Sequence, residues 1–132
     1  MANQGRHRYP VEILGEGRLF IGGSFAPNGS SALATASMQG TTGWTAAYTS
    51  TGLYTVTLDD KWQYLLWSTL ALQLTTKDDK VLQWGAIDMS AKTLQIRSWD
   101  IGGADVADIA ADAGNRIHWG ICVKRSSNSG KR

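Results

Sequence analysis

The sequence predicts an all-β domain: a single jelly-roll or β-sandwich of about eight strands, with at most one short helix. Three observations carry this. Apolar and polar residues alternate with period two in three well-separated segments. Gly, Asp, Asn and Ser cluster between the apolar runs at strand-like spacing. The chain has 132 residues and 15 glycines, and only 18% of it is charged. That is one domain's length, below the usual quarter of charged residues.

Taken in order, residues 1–10 read as a basic arm, 11–125 as the sandwich and 126–132 as a disordered basic tail. Residues 9–14 and 18–21 read as strands flanking the hairpin-like break Gly15-Glu16-Gly17. Residues 22–31 have the chain's strongest turn chemistry and read as a loop. Residues 34–38 and 45–49 read as short Ala/Thr-rich strands. Within 52–58, Tyr54, Val56 and Leu58 share one face, and Leu53, Thr55 and Thr57 the other. Residues 62–76 read as one long strand or two strands joined by a bulge. Residues 80–89 and 92–101 follow polar turns, with Leu94 and Ile96 opposite Thr93, Gln95, Arg97 and Trp99. Residues 104–113 read as a short helix or an ordered loop, with Val106, Ile109 and Ala110 at helical spacing and Gly114-Asn115 as a stop. In 115–125, Ile117, Trp119, Ile121 and Val123 form one apolar face. Arg116, His118, Gly120, Cys122 and Lys124 form the other.

Several function classes find no support in the residues. A single cysteine, Cys122, permits neither an intrachain disulfide framework nor a Cys-based zinc site. Residues 1–9 are polar and basic with no apolar region behind them, so no signal peptide is expected. The apolar-rich run 62–74 is too short and too polar to span a bilayer. A soluble protein made in a reducing compartment, without a membrane partner, is the expectation. No nucleophile elbow or phosphate loop is present, and Gly22-Gly23-Ser24 reads as a turn. On one strand face, Cys122 and His118 stand roughly 13 Å apart at about 3.3 Å per residue. That is too far for a nucleophile–base hydrogen bond. Asp59-Asp60 and Asp78-Asp79 read as solvated turns. Asp105, Asp108 and Asp112 read as a solvated helix face. The sequon Asn28-Gly29-Ser30 carries no weight without secretion. The expectation is a protein that is not an enzyme and takes neither cofactor nor metal.

The formal charge of +2 is unevenly placed. Arg6 and Arg8 near the start, with Lys124, Arg125, Lys131 and Arg132 near the end, total +6, which leaves −4 on residues 11–123. Basic ends of this kind bind acidic surfaces or nucleic acid. No nucleic-acid module pattern accompanies them, so no nucleic-acid partner is expected.

Six tryptophans are many for one small core, since each buries about 150–250 Å². Trp119 and Trp62 read as core, the latter in register with Tyr64, Leu66, Leu70, Leu72 and Leu74. Trp67 reads as facing away, with Leu65, Thr69 and Gln73, and Trp84 is ambiguous. Trp99 sits with Gln95 and Arg97, and Trp44 opens a Thr-rich strand. Trp44, Trp67, Arg97 and Trp99 are therefore candidates for a subunit or partner interface.

Two segments carry a resemblance: Thr51-Gly-Leu-Tyr-Thr-Val-Thr-Leu-Asp-Asp-Lys-Trp62 and Ile101-Gly-Gly-Ala-Asp-Val-Ala-Asp-Ile-Ala-Ala-Asp-Ala-Gly-Asn-Arg-Ile-His-Trp119. Over roughly residues 50–127 the chain resembles small all-β head decoration, or cement, proteins of tailed bacteriophages. The G-x-Y-x-V-x-L pattern alone is also similar to that of trimeric, extracellular C1q/TNF-like jelly rolls. The decoration-protein resemblance implies a structural virion protein on the outer capsid surface, made in the host cytoplasm. Such a protein binds the major capsid protein between capsid subunits, commonly as a homotrimer, and stabilises the head. In that setting Arg6, His7 and Arg8 form a capsid-binding arm. The alternative is a carbohydrate- or receptor-binding module of a phage fibre or spike, with tryptophan rings stacked on sugars.

Overall fold

The period-two alternation resolves into eight strands in two antiparallel sheets, seen in a computed structural model that describes residues 18–103 and 105–124. The strands are β1 (Arg18–Phe25), β2 (Gln39–Gly40), β3 (Trp44–Ser50), β4 (Leu53–Leu58), β5 (Tyr64–Gln73), β6 (Lys80–Asp88), β7 (Thr93–Asp100) and β8 (Arg116–Lys124). The first sheet has the order β2-β1-β8-β5 and the second β3-β4-β7-β6. The all-β sandwich read from the sequence is the observed fold. The expected arm, the strand at 9–14, its hairpin break and the tail at 126–132 lie outside the described residues.

The core forms where the two inner faces meet. Ile117, Trp119, Ile121 and Val123 from β8 face Tyr54, Val56, Leu58, Leu94 and Ile96 from the second sheet, and all are buried. Aromatic rings bridge the sheets. Trp44 of β3 meets Trp119 of β8 edge-on at 5.0 Å and 89°, and Phe25 of β1 lies 5.8 Å from Tyr54 of β4. Such pairs add about 0.5–1.5 kcal/mol beyond the area they bury. The indole N–H groups of Trp44 and Trp119 meet no acceptor among the described residues.

Three expectations are corrected. Residues 22–25 belong to β1, and the loop begins only at Ala26. The glycines there reflect crowding. A Cβ on Gly23 would stand 2.9 Å from the Trp44 ring and collide with the Gln39 backbone. Residues 34–38 hold a single 3-10 turn, Thr35–Ser37, in place of a strand.

Of the two readings of residues 104–113, the described residues show the ordered loop, a strap without helical turns. Ile109 turns inward and is 1% exposed, whereas Val106 is 37% exposed, so the two do not share a helical face. Asp108 holds the strap. Its carboxylate accepts the Gly52 N–H at 2.7 Å and the Tyr48 hydroxyl at 3.2 Å. Ser98 and Ala107 exchange backbone and hydroxyl hydrogen bonds beside it.

The third correction concerns β5. A bulge between Leu65 and Trp67 inserts Leu66. Leu65 therefore packs inward against Val123, while Tyr64 and Leu66 are turned out of the core that the sequence assigned them. A bulge shifts the alternation by one residue, which is why a strict period-two reading fails across it.

Candidate functional site: the outer face of the first sheet

Register decides which side chains meet on this face. Cys122 of β8 lies between Phe20 of β1 and Trp67 of β5. The next rung toward the chain ends places Lys124 between Arg18 and Tyr64. The bulge brings Leu66 outward beside Trp67. Tyr64, Leu66 and Trp67 are 44%, 43% and 45% exposed, which gathers three large exposed apolar side chains within four residues of one strand. Phe20 supports the indole edge-on, with ring centroids 4.8 Å apart and planes at 81°. The two rings cover Cys122, which is 3% exposed. The sulfur is thereby a small apolar packing group under an aromatic lid.

Away from this cluster the face turns polar. Gly22 and Gly120 pair across β1 and β8, and a Cβ on Gly22 would stand 2.6 Å from the Trp119 carbonyl oxygen. Beyond them the His118 ring and the Gln73 carboxamide share a 2.8 Å hydrogen bond. Arg116 donates from Nε to the Ser24 hydroxyl at 2.9 Å and from Nη2 to the Ser37 carbonyl. This guanidinium ties β8 to the 3-10 turn.

Charge is sorted between the sheets. No Asp or Glu occurs in β1, β2, β5 or β8, while Arg18, Arg116 and Lys124 do. In the second sheet, Lys80 and Arg97 are balanced by Asp88 and Asp100.

The four tryptophan-centred candidates do not converge on one surface. Trp67 stands exposed on the first sheet. Trp44 is 8% exposed and belongs to the core, which corrects its reading as a surface residue. Its position at the head of a Thr-rich strand concealed that its own face points inward. Arg97 and Trp99 lie on the opposite outer face, that of the second sheet. There Arg97 is exposed, and Trp99 is half-buried, paired with Val81 and bridged to Val106. Trp62 and Trp119 are core as expected, and Trp84 packs partly buried against it. Arg6, His7 and Arg8 lie outside the described residues. Sequence reasoning missed Tyr64, Leu66 and Phe20, because only the bulge and the β1–β8–β5 order bring them together.

A second cluster is acidic. Asp78, Asp79 and Asp100 place carboxylate oxygens within 4.8 Å of one another. The Lys80 ammonium already occupies this position, at 2.5 Å from Asp100 and 4.0 Å from Asp78. The Asp100 hydrogen bond raises its pKa. An open end of the sandwich, lined by Lys61, Trp62, Gln63, Met89 and Ser90, encloses about 450 Å³. Among the described residues, no helix is long and apolar enough to cross a membrane. No family model matches the chain, and neither a curated protein nor a solved structure matches it.

Proposed function

We propose that the chain is a structural protein of a tailed-phage head, a decoration protein. It binds the outer surface of the shell between subunits of the major capsid protein and stabilises the head as a homotrimer. The observation that supports this reading is the exposed Tyr64–Leu66–Trp67 cluster, braced by Phe20 on a four-stranded sheet. A rigid apolar knob on a flat polar face is the anatomy of a docking hot spot, where buried aromatic anchors carry most of the binding energy. The resemblance of residues 50–127 to decoration proteins gives the partner. The experiment is to add the purified chain to heads that lack it. Bound trimers and a higher temperature of head disruption are expected. A monomer that leaves head stability unchanged contradicts the proposal.

The alternative, a carbohydrate-binding module, draws on the same face. Trp67 supplies a ring, and Thr69, Gln73 and His118 supply hydroxyl partners. It predicts that a glycan quenches the tryptophan fluorescence. A flat response across a broad glycan panel counts against it.

A further inference from the structure

We infer that the docking footprint is the Phe20–Tyr64–Leu66–Trp67 cluster joined to the Arg18–Lys124 rung, and that its partner is an acidic protein surface. The inference rests on the reading above and adds which face meets the partner and what chemistry that partner presents.

Two features of the fold point to the same place. Arg18 and Lys124 are directly opposite each other in the β1–β8 ladder. Like charges opposed in this way destabilise a sheet, and neither forms an ion pair among the described residues. An external anion removes that repulsion. The strands of this sheet also carry no carboxylate, so no strand side chain among the described residues repels an acidic partner.

A protein fits this footprint better than a nucleic acid does. Leu66 and the edge-on Phe20–Trp67 pair form a knob that suits an apolar pocket, whereas a single strand needs open ring faces in series. The described body also carries an excess of acid: eight Lys and Arg against nine Asp over residues 18–124 leave −1. A long polyanion meets that charge as soon as it leaves the sheet.

The test uses the full chain and a fluorescein-labelled Glu/Leu copolymer, read by anisotropy. Oligodeoxythymidylate and a Lys/Leu copolymer are run in parallel. The acidic copolymer is expected to bind and to weaken with salt, as exposed charge pairs do. Trp67→Ala is expected to weaken binding about thirtyfold, the loss typical of an anchor residue. Arg18→Glu is expected to weaken it about tenfold. The same Arg18→Glu change turns the like-charge pair into an opposite-charge pair, so the melting temperature is expected to rise while affinity falls. A purely structural role for Arg18 cannot produce that divergence. The inference is overturned if the acidic copolymer fails to bind, if either variant keeps full affinity, or if oligodeoxythymidylate binds as tightly with the same dependence on Trp67 and Arg18. Binding to heads without binding to the copolymer removes the footprint and leaves the head reading standing. Binding to the copolymer with both dependences, by a chain that is absent from heads, removes the head reading and leaves the footprint standing.

Discussion

Phe20 meets Trp67 edge to face, 4.8 Å between ring centroids, and the pair closes over the Cys122 thiol. The contact joins the first strand to the fifth across the last, so the aromatic cluster is part of the sheet's own packing and held in one orientation. A docking residue held this way loses little entropy on binding.

The thiol reports on that lid. Cys122 is expected to react slowly with a disulfide reagent in the native protein, since a buried thiol is inert. Phe20→Ala or Trp67→Ala is expected to speed the reaction by at least about tenfold, at a cost of about 1–2 kcal/mol in stability. Stopped-flow thiol titration measures the rate. Equal rates in the wild type and both variants contradict the lid.

Trp44 and Trp67 separate core from surface. Trp44→Ala is expected to cost about 3–5 kcal/mol, because it empties the space against Trp119 and Phe25. Trp67→Ala costs less than half of that. Urea denaturation of both variants decides it. Comparable losses contradict the assignment of Trp44 to the core.

Asp108 pins the strap. Asp108→Ala leaves the buried Gly52 N–H without its acceptor and is expected to cost about 1–3 kcal/mol. Faster amide hydrogen exchange is expected at Gly52, Ala107 and Ile109 ahead of the β8 amides. Uniform acceleration over the whole sandwich contradicts a local fastening.

Alkaline pH weakens the fold in a defined window. Burial pushes the Tyr54 phenol up to about 12 from 10.0. Between those values the folded chain retains a proton that the unfolded chain has lost. Stability is therefore full below about pH 10 and falls as pH rises through about 12, by on the order of 2 kcal/mol. Lys80, raised by its Asp100 hydrogen bond, shifts stability in the same direction. Urea midpoints at about pH 9 and about pH 11.5 measure the loss. Tyr54→Phe removes most of it.

Much of the sandwich was legible because burial on one face imposes a period of two. Tyr54, Val56 and Leu58, then Ile117, Trp119, Ile121 and Val123, leave no other face for the core. What was not legible depended on contacts between distant residues. A bulge is one of the two readings of residues 62–76, but its place between Leu65 and Trp67 is set by the pairing with β8. Gly23 sits in a strand because Trp44 and Gln39 leave no room for a Cβ, yet by composition it belongs to a loop. Asp108 and Ile109 resemble two positions of a helix until Gly52, Tyr48 and the core claim them. Trp67 faces out by alternation and in the structure alike. Its partners Phe20, Tyr64 and Leu66, and the rung of Arg18 and Lys124, required the strand order.

The central proposal is that the chain is a structural component of a tailed-phage head. The most direct test of that proposal is its copy number in purified tailed-phage heads assembled in its presence, measured by native mass of the heads and quantitative peptide analysis. A fixed ratio to the major capsid protein, with copies in multiples of three as cyclic trimers require, is the expected result. Absence from heads, or a few copies confined to tails or fibres, contradicts the claim.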